Sequence, residues 1–343
     1  MKLILDLLII LCDAYVTDDE VVPAQVLEVI QHAKSTCLSE VSTHPSDSRG
    51  DPSENLISSL RTLSSISTYL DTYFEIHPLP TRSDENKMGD DADPFDHDKM
   101  DIDSQSQSEF NPTILSDLFA AIPLIVSQPL SVPLIPYALE TINDISWTMT
   151  LRIPESEEWR TTSQQFLTFA VPRIEGMAGL GEDTLSTFLG CIWATAKAIP
   201  GRFSLDPEDI QLLESLYGQY PSAEFQAKIM GILGLAAQTE SADANKYITA
   251  FMMREITSPT KLVIVEIMDA IMEIFADGEK VYDIPVFVQG QVLLKLKEVL
   301  PQLRKRVKGI HPDKESDLRE RADGVLENFV EFIKYKEAEA KAR

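Results

Sequence analysis

The chain has 343 residues, 44% of them apolar, and a formal net charge of −25. The apolar share supports a folded core, the length suggests about two domains, and acidity of this size disfavours nucleic acid and anionic membrane while it attracts basic partners. Cys12, Cys37 and Cys191 are too few and too scattered for a disulfide framework or a zinc site, and fit a reducing compartment such as cytosol or nucleus.

The N-terminal run MKLILDLLIILCDAY imitates a signal peptide. Asp6 breaks it, a single lysine precedes it, and no small-x-small cleavage site follows, so it is read as a buried helix. It is too short to span a bilayer, and charge interrupts every other apolar segment. From there on helical periodicity dominates and strand signals are weak. The predicted helices are 2–16, 20–34, 53–75, 112–127, 132–150, 156–171, 182–199, 207–218, 222–238, 242–256, 259–277, 284–307 and 313–341. Short connections rich in Pro, Gly, Ser and Asp separate them, as at Ile199-Pro-Gly and Tyr220-Pro-Ser. Ser222 and Ser241 stand where N-caps belong.

From residue 112 the helices pair as hairpins over 112–150, 156–199, 207–238, 242–277 and 284–341. That period falls in the range of HEAT and armadillo arrays, in which one repeat completes its core only by stacking on the next. The segment from Lys261 agrees. Leu262, Val265, Met268, Met272 and Phe275 line one side, and Ile264, Ile267, Ile271 and Ile274 widen it. A helix so apolar is covered on several sides. The expected fold is an all-α superhelical solenoid of helix hairpins, with helices over 1–75, a long acidic loop over 76–111 and a HEAT-repeat array with C-terminal capping helices over 112–343.

Two segments interrupt the array. Residues 38–52 read as a polar loop. Residues 76–111 contain DENKMGDDADPFDHDKMDID, Asp84 to Asp103, with nine carboxylates against two lysines. So polar a segment cannot offset its ordering entropy by burial and is expected to be disordered. A long loop of this kind is functional or a linker.

No catalytic constellation appears, and no cofactor or metal is expected. His97 lies among Asp91, Asp93, Asp96 and Asp98, but the Gly turn and closing acid of a calcium loop are missing. EGMAGLGED (175–183) lacks the glycine order of a dinucleotide fingerprint and reads as an inter-helix turn. Arg49-Gly50-Asp51 and Pro136-Tyr137 spell known recognition tripeptide and dipeptide cores in the wrong context. The acidic faces are better candidates. Glu266, Asp269, Glu273 and Asp277 fall on one helical stripe, and Glu140, Asp144 and Trp147 share a face of an earlier helix. Both are second helices of their hairpins, which line the groove in HEAT-like arrays. Such a groove suits a Lys/Arg-rich peptide through charge-assisted bonds and cation–π contact. An ordinary solvated face is the competing reading. Near the C-terminus RKRVK (304–308) is either a nuclear signal or a set of cations at a helix C-terminus, where the dipole favours them.

The stretches IMDAIMEIFADG (267–278), VFVQGQVLLKLKEVLPQLRKRVK (286–308) and VLENFVEFIKYKEAEAKAR (325–343) resemble the C-terminal end of the symportin family. LIPYALETINDISWTMT (134–150) is similar to its fungal members. These are HEAT-repeat proteins that synchronise the nuclear import of ribosomal proteins. The resemblance implies a non-enzymatic chaperone and import adaptor that shuttles between cytoplasm and nucleus. Its partners would be the basic ribosomal proteins that accompany 5S ribosomal RNA, without direct nucleic-acid or membrane binding. It also implies that an acidic loop holds the RNA-binding surface of one client. By composition and place that loop corresponds to Asp90, Asp91, Asp93, Phe95, Asp96, Asp98, Asp101 and Asp103. The family's N-terminal half, with its import-receptor signal and most armadillo repeats, has no counterpart here, so the chain is expected to be a fragment, a truncated form or a short paralogue. An alternative reading is a HEAT scaffold for another complex, with the acidic loop as a solubilising linker.

Overall fold

In the computed structural model, residues 135–152 and 154–342 are described, along with their secondary structure. The helices expected over 2–16, 20–34, 53–75 and 112–127, the polar loop at 38–52 and the acidic loop lie outside them. Among the described residues every regular element is helical. The chain divides into two compact units, residues 1–162 and 163–343.

In the first unit, helix α1 (Ile135–Arg152) runs into the start of α2 (Glu157–Ala170). α1 starts at the Pro136-Tyr137 pair. It buries Ala138, Leu139, Ile142, Ile145 and Met149, an i, i+3/i+4 set. Trp159, at the start of α2, is fully buried, and its indole Nε1–H donates to Thr150 Oγ1 at 3.1 Å. A buried indole N–H normally needs such a partner.

The second unit continues α2 through a 3₁₀ turn (Val171–Arg173) into the short α3 (Ile174–Ala178). Six of the nine residues of the EGMAGLGED segment, expected as a turn, are therefore helical, 175–178 in α3 and 182–183 at the start of the next helix. The turn is confined to the residues ending at Gly181, whose φ of +102° a side chain would resist. Then follow α4 (Glu182–Lys197), α5 (Pro207–Gln219), α6 (Ala223–Ala236), α7 (Ala242–Glu255), α8 (Lys261–Phe275), a π-helical turn (Asp283–Val288), α9 (Val292–Lys308) and α10 (Ser316–Ala342). These match the expected spans closely up to α8. Ser241 caps α7 by accepting from the Ala244 amide at 3.4 Å, whereas Ser222 occupies the cap position of α6 without a side-chain bond.

The helix expected over 284–307 is in fact two elements. Its first residues form the π-helical turn, and α9 begins only after Gln291, which adopts a left-handed φ of 55°. The break sits at Gly290, where an added Cβ would lie 2.1 Å from the Val286 carbonyl oxygen. Only glycine lets the backbone fold back so closely.

Helices α4, α6, α8 and α10 pack side by side in that order, and α5, α7 and α9 pack against them as the partners in each hairpin. This is a two-layer helical solenoid. The core follows from composition. α6 carries ten buried residues and α8 likewise ten, because each lies between two neighbours of its own layer. α6 approaches both neighbours through glycines. A Cβ on Gly231 would lie 2.3 Å from Trp193 of α4, and one on Gly234 would lie 2.7 Å from the Ala270 Cβ of α8.

At the C-terminal end an aromatic cluster joins three elements. Phe275 of α8 meets Tyr282 edge-on at 6.0 Å and Phe287 at 4.8 Å, and Phe287 meets Phe332 of α10 at 6.0 Å. The Tyr282 hydroxyl donates to the Ile274 carbonyl at 3.0 Å. Burial pushes its ionisation up to about 12, helped by Asp277 and Asp283.

Candidate partner-binding face

The acidic row of α8 arises from helical spacing alone, but the structure gives its members different surroundings. Glu266 is 4% exposed and pairs with Arg321 of α10. Asp269 is half-buried, and Arg321 Nη2 lies 3.6 Å from it. Glu273 is exposed and accepts a hydrogen bond from Gln238 Nε2 at 3.1 Å. Asp277 is exposed and accepts from the Glu279 amide at 2.9 Å. One guanidinium thus compensates two of the four carboxylates, and Glu273 and Asp277 keep their charge toward solvent.

Desolvation raises the Glu266 carboxyl above its ordinary value, and Arg321 only partly offsets it. The packed helices around Glu273 push its carboxyl up by desolvation although the side chain still reaches solvent, and Lys197 of α4 pulls the other way. A carboxylate whose folded pKa is raised weakens the fold at neutral pH, and that penalty disappears as the pH falls through the folded pKa toward the ordinary 4.5. Arg321→Met removes the compensation of Glu266, so its penalty at pH 7 grows. The expected loss at pH 7 is about 2 kcal/mol, less than for a fully dry pair because the guanidinium is partly exposed. Urea titrations should show the gap to wild type closing as the pH falls from 7 toward the ordinary carboxylate value and Glu266 takes up a proton. The double variant Glu266→Gln/Arg321→Met should show no such closing.

In the first unit, Glu140 is exposed on α1, and Asp144 and Trp147 are half-buried on the same face. Asn143 Nδ2 donates to Asp144 Oδ1 at 3.5 Å. Glu266, Asp269 and Glu273 are brought together by α8, whereas Glu140, Asp144 and Trp147 belong to the other unit. The acidic-loop residues Asp90, Asp91, Asp93, Phe95, Asp96, Asp98, Asp101 and Asp103 lie outside the described residues. Among the described residues no group of three or more His, Cys, Asp or Glu side chains is placed to hold a metal, and no helix is long and apolar enough to cross a membrane.

Three polar groups were not anticipated from the sequence. Lys197, Gln238 and Arg321 meet the acidic row from α4, from the residues just after α6 and from α10, and nothing in their local spacing announces it. Lys336 did leave a signal. It follows Phe329 and Phe332 at helical spacing on the buried face of α10, a register that should hold an apolar residue. Lys336 Nζ lies 3.0 Å from Asp283 Oδ1 of the π-helical turn and 3.0 Å from Glu339 Oε2, and 5.1 Å from the centre of the Phe287 ring. RKRVK occupies the last turns of α9. Leu303 and Val307 are buried, and Arg306 Nη2 donates to the Thr257 carbonyl at 3.3 Å.

The sequence matches the family model described as SYO1-like, TPR repeats, over residues 161–340. That description names TPR repeats where the spacing suggested HEAT or armadillo; all are arrays of helix hairpins. The chain is 30% identical over 213 residues to the Schizosaccharomyces pombe protein named armadillo repeat protein involved in nucleocytoplasmic transport Syo2, covering 59% of this chain and 32% of that relative. It is 28% identical over 233 residues to Symportin 1 of Chaetomium thermophilum, covering 60% of this chain and 34% of the relative. It is 28% identical over 166 residues to Synchronized import protein 1 of Saccharomyces cerevisiae, covering 43% and 27%. The matched region spans about a third of the length of these relatives. The match to the family model across more than half of the chain, on a fold of stacked helix hairpins, places this protein in the family of SYO1-like repeat proteins, the symportins.

Proposed function

We propose that the chain is a non-enzymatic chaperone and nuclear import adaptor for basic ribosomal proteins of the 5S particle, moving between cytoplasm and nucleus. The observation that carries this reading is the kinship with relatives named for nucleocytoplasmic transport and synchronised import. The net charge of −25 supports it, since it favours a basic protein client over nucleic acid or membrane. In this mechanism the insert around Asp90–Asp103 draws in the RNA-binding surface of a client and stands in for phosphates. The exposed acids of α8, Glu273 foremost, receive an extended basic segment, and in the first unit Glu140, Asp144 and Trp147 offer a separate face of the same chemistry. Release follows when RNA replaces the carboxylates. An import receptor would engage a further N-terminal segment of the longer relatives.

The test is a pull-down of the two 5S-associated ribosomal proteins on the purified chain, with and without residues 84–103, at low and moderate salt. Capture of one client should fall by at least about ten-fold without the insert, and should weaken with salt because exposed charges are screened beyond about 8–10 Å near physiological ionic strength. The second reading, a scaffold for another complex with the insert as a solubilising linker, gains from Arg321, which already compensates two acids of the row. A scaffold keeps its partners when the insert is deleted.

A further inference from the structure

The stretch from Lys280 to Lys308 reverses the sign of the chain. It carries seven basic residues and two carboxylates, in a protein with 55 Asp and Glu against 30 Lys and Arg. One of the two, Asp283, is buried against Lys336, which leaves Glu298 as the exposed carboxylate of the stretch. Lys297 is paired with Glu337 and Arg306 with a carbonyl. Lys295, Arg304, Lys305 and Lys308 are exposed and have no ion-pair partner among the described residues. The helix dipole accounts for cations in the last turn of α9, but it disfavours Lys295 near the start of that helix.

The same stretch displays aliphatic side chains. Val281 is 61% exposed, Ile284 54%, Val288 46% and Leu294 53%. Scattered surface leucines need no explanation, but Ile284 and Val288 lie in the π-helical turn itself and Val281 and Leu294 within a few residues of its ends. Their backbone is also held in forms that cost free energy. The Gln289 amide donates to the Ile284 carbonyl at 3.0 Å in the wide π-helical pattern, and Gln291 is left-handed without being glycine. Beneath them lies a buried ion pair, which an apolar pair of similar volume would often replace without loss. Such features gather at functional sites. Phe287 against Phe275 and the Tyr282 bond to Ile274 hold the turn from below, so the aliphatic side chains stand on a fixed base.

We propose that residues 281–308 form a docking surface for an acidic peptide segment of a partner protein, in which carboxylates alternate with bulky apolar side chains. The carboxylates of such a segment meet Arg304, Lys305 and Lys308, which helical spacing places on the Leu294 side of α9, and its apolar side chains cover Val281, Ile284, Val288 and Leu294. A nucleic acid would use the cations and leave the aliphatic side chains in water. The surface uses none of the acids of α8 and stands independently of the client reading.

The experiment is fluorescence anisotropy of the full chain with a labelled peptide alternating aspartate with leucine and phenylalanine. Controls are the same peptide with serine at the apolar positions and a labelled poly-U RNA. The alternating peptide should bind, and the serine peptide should bind at least about ten-fold more weakly. Ile284→Asn/Val288→Asn should weaken binding about ten-fold without lowering the melting temperature, since both side chains are exposed. Arg304→Glu/Lys308→Glu should weaken it further and flatten its salt dependence. Equal binding of the serine peptide or of poly-U would overturn the proposal, because charge alone would then explain the surface. So would absence of peptide binding, or a dimer in sedimentation that Ile284→Asn/Val288→Asn dissolves.

Discussion

Lys336→Met should destabilise the protein by about 3–5 kcal/mol, because it leaves Asp283 buried without its cation. Lys336 is 2% exposed and Asp283 1%. The ammonium satisfies its donors with Asp283 Oδ1 and Glu339 Oε2, both at 3.0 Å, and it faces the Phe287 ring at 5.1 Å. The asymmetry of buried pairs supplies the control. Removing one partner exposes the full desolvation cost of the other, whereas removing both charges costs much less. Asp283→Asn/Lys336→Met should therefore recover at least about half of the loss. Urea titrations at pH 7 with an unchanged slope decide it. A single variant as stable as wild type would mean that water reaches Asp283 and that the pair does not fasten the π-helical turn to α10.

Phe275→Ala should cost a comparable amount, about 3–5 kcal/mol, from lost burial and the cavity it leaves. The ring is fully buried at the end of α8, edge-on to Tyr282 and tilted on Phe287. It supports the π-helical turn through its contact with Phe287. Phe275→Leu keeps most of the volume and should cost under about 1.5 kcal/mol. Hydrogen exchange distinguishes this from a uniform loss of stability. In Phe275→Ala the amides of residues 282–291 should exchange faster than those of α6. Uniform acceleration across α4, α6 and α8 would show that the turn unfolds only with the whole array. The peptide docking proposed for 281–308 should weaken alongside local loosening, since its apolar half depends on the fixed base.

The parts of the structure that were legible in the sequence are those that local physics dictates. Pro207 at the first position of α5, the serine at the cap of α7 and the short Pro- and Gly-containing links mark helix ends without reference to anything distant. The wide apolar arc of α8 announced a helix covered on several sides, and Val263, Ile264, Val265, Ile267, Met268, Ile271, Ile274 and Phe275 are indeed buried, with Leu262 and Met272 at its half-buried edges. The break before α9 was not legible, because residues 284–307 keep an uninterrupted helical period. It is decided by the approach of Gly290 to the Val286 carbonyl and by the need to seat Phe287 on Phe275.

The candidate face divides in the same way. Spacing placed Glu266, Asp269, Glu273 and Asp277 on one stripe, and a stripe is all that helical spacing determines. Which of them remains available to a partner depends on α10, which arrives from far along the chain. Arg321 takes Glu266 and Asp269, while Gln238 and Lys197 sit beside Glu273. The sequence by itself determined the spans of α4 to α8 and their pairing, the acidic excess and the basic character of α9. Only the tertiary structure decided which charges are compensated and which face solvent. Charge is carried by a residue, but its compensation depends on neighbours brought in by the stacking of distant helices.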